Sequence, residues 1–176
     1  MKQAALESVF QKLLSSFDDP SLLMRDIVSG GSNASHRWLA PFLHSVAASA
    51  VESGEVQYSK AVLFGEDDAE KFEGKAVIIT SHVVVSGYFE AKRTAPKPDF
   101  KVHAWNLAAI ERIDVEAVNP ATKEGSTDPR QQGSAIFTLH MPAGVLVQVP
   151  PRGGTEELWE PKALQVMPKL LAGSNR

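Results

Sequence analysis

Cysteine is absent from the chain. That excludes a disulfide framework, a thiolate nucleophile and a cysteine-ligated zinc site. Long apolar runs are missing too: Ala76–Ile79 and Val83–Val85 fall far short of the ~20 residues that span a bilayer. No charge dominates, because a formal net charge of −3 provides no general field to gather nucleic acid or anionic lipid. No stretch interleaves basic and aromatic residues as a single-strand nucleic-acid platform would. The opening Met1-Lys2-Gln3-Ala4-Ala5-Leu6-Glu7 has no apolar core of signal-peptide length, and the expected location is cytoplasmic, in keeping with the lack of cysteine.

What is present suffices for a globular fold. A chain of 176 residues, 43% hydrophobic and 22% charged, can bury roughly 70% of its unfolded surface without covalent staples.

The first third reads as helical. Leu6, Val9, Phe10, Leu13, Leu14 and Phe17 recur at three- and four-residue steps on a helix beginning near Lys2, which gathers them on one stripe. Asp19-Pro20 suits the cap and first position of a second, short helix ended by Gly30-Gly31, since proline needs no donor there. A third begins after Asn33 or Ser35, with Trp38, Leu39, Phe42, Leu43, Val46, Ala47, Ala50 and Val51 on a broad apolar face and Gly54 as its stop. Pro41 is tolerable in its first turns.

The period then shortens to two. Val56–Phe64 is expected as a first strand, Gly65 to Gly74 as a loop, and Lys75–Thr80 as a second strand. Ser81-His82 is too short for a crossover, so Val83–Glu90 pairs antiparallel with the second strand. Ala91 to Asp99 is a loop with Pro96 and Pro98; Phe100–Asn106 and Ile110–Val118 are the fourth and fifth strands. In the fifth, Ile113, Val115 and Ala117 alternate with Arg112, Asp114 and Glu116, so one face is wet. Asn119 to Gly133 is turn-forming almost throughout and long enough to be functional or mobile. Ser134–Met141 and Val145–Val149 form a hairpin around Pro142-Ala143-Gly144. Thr155 is a cap candidate for a last helical segment carrying Leu158, Trp159, Ala163, Leu164, Val166, Met167, Leu170 and Leu171, with Pro161 and Pro168 expected to kink or split it.

Seven strands followed by a helix is the order of the pleckstrin-homology-like superfold. Glu73-Gly74-Lys75-Ala76-Val77-Ile78-Ile79-Thr80-Ser81-His82-Val83-Val84-Val85 resembles the strand-and-hairpin pattern of GRAM and bacterial pleckstrin-homology domains. Trp105-Asn106-Leu107-Ala108-Ala109-Ile110-Glu111-Arg112-Ile113-Asp114-Val115 is similar to their step into the fifth strand. The likeness covers residues 56–172. It implies an α+β fold: a seven-stranded antiparallel, partly open β-barrel or sandwich capped by a C-terminal helix, with residues 1–53 as an added N-terminal helical segment packed on the barrel or in a dimer interface and residues 54–176 as the barrel unit. It also implies a role in binding lipid headgroups, peptides or proteins without chemistry.

Two charge features bear on that role. Phosphoinositide-binding members carry cations in and beside the first loop, because a phosphate cluster needs several at short range. Here Glu66, Asp67, Asp68, Glu70 and Glu73 against Lys71 leave that loop at −4, which argues against inositol phospholipid in the usual site. By contrast Lys92, Arg93, Lys97 and Lys101 bracket Pro96 and Pro98. They form the candidate partner-binding site, able to meet an acidic peptide or phosphate, or else a solvated loop that guards a sheet edge.

Catalytic and metal sites are not expected. His36, His44, His82, His103 and His140 show no metal-ligand spacing and no nearby carboxylate that would fix an imidazole tautomer. There is no Gly-x-Ser-x-Gly elbow, and neither Gly30-Gly31-Ser32 nor Gly153-Gly154 matches a phosphate-cradling loop. The reading is a non-catalytic binding or scaffold module, without cofactor, that engages a protein partner or itself. The alternatives are a small-ligand or lipid carrier and an enzyme. Phe64, Phe89, Phe100, Trp105, Phe137 and Leu139 are expected to fill the interior, against a carrier cavity.

Overall fold

Two-residue alternation does become strand. The computed structural model describes residues 2–16, 34–64, 71–92, 99–119, 121, 133–151 and 161–173. Its strands are β1 (Val56–Phe64), β2 (Lys71–Thr80), β3 (Val83–Lys92), β4 (Asp99–Asn106), β5 (Arg112–Asn119), β6 (Ser134–Met141) and β7 (Val145–Val149). Its helices are α1 (Lys2–Leu14), α2 (Ala34–Ala50) and α3 (Pro161–Gly173). The expected short helix after Asp19-Pro20, the loop 122–132 and the Thr155 cap lie outside the described residues. Hydrogen bonding divides the strands into a four-stranded sheet ordered β1-β2-β3-β4 and a three-stranded sheet ordered β5-β6-β7. Among the described residues the fold is therefore α+β with two antiparallel sheets and no closed barrel, because the ladder ends at β4 and starts again at β5. The chain divides into compact units Met1–Ala104 and Trp105–Arg176.

In the first unit the apolar stripes of α1 and α2 meet one face of the sheet. Phe10, Leu13 and Leu14 from α1, Leu39, Phe42, Leu43, Val46, Ala47 and Ala50 from α2, and Ala61, Ala76, Ile78, Val85 and Phe89 from the sheet form one buried cluster. Each large side chain in it contributes about 1.5–3 kcal/mol by leaving water. The Ser16 hydroxyl accepts from the Ala61 amide at 2.9 Å and donates to the Leu13 carbonyl at 2.6 Å, fastening the end of α1 to β1. Tyr58, Lys60, Val62, Val77, Ile79 and Val84, on the sheet's other face by the same pairing, are buried as well.

Three expectations change. β2 starts at Lys71, not Lys75, since Lys71, Phe72 and Glu73 pair with Lys92, Ala91 and Glu90 of β3; Lys71, Glu73 and Gly74 around the single strand former Phe72 have little strand propensity, and ladder pairing overrides that. Pro168 does not split the last segment, which runs as one helix from Pro161 to Gly173. Its buried stripe of Ala163, Val166 and Leu170, packed against β6, outweighs the ~3 kcal/mol that an interior proline costs. Of the expected interior aromatics, Phe89 and Phe137 are fully buried, whereas Phe100 on β4 is 38% exposed and Phe64 and Trp105 are half-buried.

In the second unit α3 lies on β6, the central strand, whose Ala135, Phe137, Leu139 and Met141 are buried together with Val147 and Val149 of β7. A 3-10 turn at Leu107–Ala109, capped by the Asn106 side chain accepting from the Ala108 amide at 3.0 Å, leads into β5. The β6–β7 hairpin turns at Pro142–Gly144, with Ala143 and Gly144 at φ 61° and 72°.

Candidate functional site

Of the four cations in the expected partner-binding site, Lys92 is the last residue of β3 and Lys101 is an exposed residue of β4. Arg93 and Lys97 lie outside the described residues. The β2–β3 register adds a residue that had been assigned to the acidic loop, because Lys71 stands opposite Lys92. Glu66, Asp67, Asp68 and Glu70 also lie outside the described residues, while Glu73, expected in the loop, is half-buried in β2 opposite Phe64 and Glu90. Only strand pairing brings Lys71 to this end of the sheet.

A second arrangement, on β5 and β6, overturns the expectation about histidine. Pairing sets Arg112 opposite His140 and Asp114 opposite Thr138, so alternation puts all four on one face of the sheet. Arg112 grips Asp114 with two bonds, Nε to Oδ1 and Nη2 to Oδ2, each 2.9 Å. His140 Nε2 lies 2.7 Å from the same Oδ2 and 3.0 Å from Arg112 Nη2. A carboxylate only accepts, so Nε2 carries the hydrogen of this bond. Asp114 thus sets which ring nitrogen donates. The 26-residue separation of the two hid this pairing, and only the strand register exposes it.

The electrostatics follow from the geometry. Hydrogen bonding to His140 is the largest cause that holds the Asp114 carboxyl below its ordinary value; desolvation opposes it, and the charge of Arg112 adds to the lowering. Beside this cluster, past the irregularity between Val115 and Ala117, Thr138 Oγ1 donates to Glu116 Oε1 at 2.7 Å. Further along, Asn119 Nδ2 donates to Ser134 Oγ at 3.2 Å. Because Arg112 and His140 both spend donors on Asp114, this is a charge network that ties two strands together.

The other histidines stand apart. The His44 ring stacks on Phe10, His82 is exposed at the β2–β3 turn, His103 is exposed on β4, and the His36 side chain lies outside the described residues. Among the described residues no group of three or more His, Cys, Asp or Glu is placed to hold a metal ion, and no helix is long and apolar enough to cross a membrane. Comparison with protein-family models, with curated proteins and with solved structures finds no match.

Proposed function

We propose that this protein is a pleckstrin-homology-like binding module of the cytoplasm that engages a protein partner through the basic residues around the β3–β4 connection, without chemistry of its own. The observation that carries the reading is architectural: four antiparallel-ordered strands, then a three-stranded meander, then a helix on its central strand follow the element order of that superfold. Lys92 at the end of β3 and the exposed Lys101 on β4 belong to the basic run of the sequence, and Lys71 opposite Lys92 adds to it. Fold resemblance licenses the class of role only, so the residues carry the test.

Changing Lys92, Arg93, Lys97 and Lys101 to Ser and comparing proteins captured by the two forms tests the assignment. A captured partner that binds the unaltered chain with a steep salt dependence, and is lost with the Ser form, supports it; equal capture by both removes the basic run from the site. A thermal-shift panel of lipids, nucleotides and metals tests the carrier reading, since a ligand at a hundred times its dissociation constant adds about 2.7 kcal/mol. A response to any member of the panel supports that reading, and no response across it removes the reading.

A further inference from the structure

β5 is held differently from every neighbour in its sheet. It is an end strand, and its Val115 and Val118 are 48% and 46% exposed, whereas Phe137 and Ala135 opposite them on β6 are fully buried; Ile113, opposite the buried Leu139, is half-buried. Little apolar burial therefore fastens it. The irregularity between Val115 and Ala117 also interrupts the ladder, so Arg112–Val115 is a short paired segment of its own. Across that segment the Arg112–Asp114–His140 cluster is the polar link to β6, while Ile113 and Val115 stand opposite Leu139 and Phe137 on the other face.

We propose that Asp114 is an acid-sensitive pin: ionised, it holds Arg112–Val115 against β6; protonated, it lets that segment detach while β6, β7 and α3 stay folded. The chemistry is specific to the three groups. Asp114 Oδ2 is the shared acceptor of Arg112 Nη2 and His140 Nε2. When it takes up a proton, its charge-assisted bonds to Arg112 and His140 weaken, because the anion that both groups share is gone. Among the described residues, the groups that face this cluster are Glu116 and Thr138, already bonded to each other, and uncharged Leu146 and Gln148, opposite His140 and Thr138 on β7; Glu111 precedes it and gives its amide to the His140 carbonyl at 2.8 Å. None supplies a replacement anion at Oδ2. The direction of the Asp114 shift agrees: a carboxyl held below its ordinary value in the fold favours the attached state above the ordinary carboxylate range, and this is lost as pH falls through the folded value.

Amide hydrogen exchange of the full chain from pH 7 to pH 2, expressed as protection relative to the unstructured rate, tests the proposal. Amides of Glu111–Val115 that are protected at pH 7 are expected to lose protection as pH falls through the folded Asp114 value, while those of β6 paired with β7 hold. In Asp114→Asn, which keeps the shape but not the charge, the same amides are expected to be poorly protected already at pH 7 and nearly independent of pH. The proposal is overturned if β5, β6 and β7 lose protection together, if Glu111–Val115 keeps its protection to pH 2, or if Asp114→Asn leaves the pH dependence intact.

Discussion

The ring of Phe89 lies directly over Gly74, its cross-strand partner, in the space where any larger residue would carry its Cβ. Phe89 is fully buried and belongs to the cluster beneath α1 and α2. The glycine is there for the ring, which covers the bare backbone in return. Gly74→Ala is expected to destabilise the protein by about 1–3 kcal/mol through overpacking, read as a lower urea midpoint at unchanged slope.

Gly87 performs the same service for a helix. A Cβ there would come within 2.5 Å of Val46 Cγ2 and 2.8 Å of Phe42 Cε2, both on α2, so the absence of a side chain sets how closely α2 approaches β3. Gly87→Ala is expected to cost about 1–3 kcal/mol. In a Phe42→Leu background the penalty shrinks, because the opposing ring atoms are gone. A double-mutant cycle with a coupling energy above about 0.5 kcal/mol checks this.

These contacts mark the boundary of what the sequence makes legible. The strands from Val56 to Val149 and the stripes of α1 and α2 could be read, because period and turn residues are local signals. The β2 segment from Lys71 to Gly74 could not, since its residues favour a loop in isolation and become strand by pairing on both sides with Phe64, Leu63 and the end of β3. The site divides in the same way. A run of lysines and arginine between two prolines is visible in one dimension, but Asp114 meets His140 only once the β5–β6 register is known. Alternation within β5 puts Arg112 and Asp114 on one face, yet it carries no information about which residues of β6 stand beside them.

Thr80 holds the tip of the β2–β3 hairpin from inside. It is fully buried; its hydroxyl donates to the Ser53 carbonyl at 2.7 Å and accepts from the amides of His82 and Val83 at 3.2 and 3.0 Å. That explains how a Ser81-His82 turn without favoured turn chemistry is stable. Thr80→Val preserves shape but strands a carbonyl and two amides, and is expected to cost about 1–3 kcal/mol. Thr80→Ser, which keeps the hydroxyl, should recover most of the loss in the same urea titration.

Between α1 and α2 the rings of Phe10 and His44 stack at 4.0 Å, 9° from parallel. Phe10 is buried and His44 exposed, so the imidazole shields the phenyl ring from water. His44→Ala is expected to destabilise by about 0.5–1.5 kcal/mol, and His44→Tyr to retain most of the contact. Limited proteolysis offers a local readout, since cleavage within α1 should quicken in His44→Ala before the sheet loosens.

The charge network on β5 makes a prediction that can be read at a single atom. Hydrogen bonding to His140 is the largest cause of the lowered Asp114 value, with the Arg112 charge a smaller one. In His140→Ala the Asp114 side-chain carboxyl resonance, followed by NMR against pH, is therefore expected to titrate at higher pH than in the unaltered chain, and in Arg112→Gln to move the same way by less. The sign also fixes the stability profile. A carboxyl depressed in the folded state stabilises it fully above the ordinary carboxylate range and ceases to do so as pH falls through the folded value, so the difference in stability between the unaltered chain and Asp114→Asn should be largest near neutral pH and vanish in acid. If His140→Ala leaves the Asp114 midpoint where it was, the 2.7 Å bond is not what holds that charge.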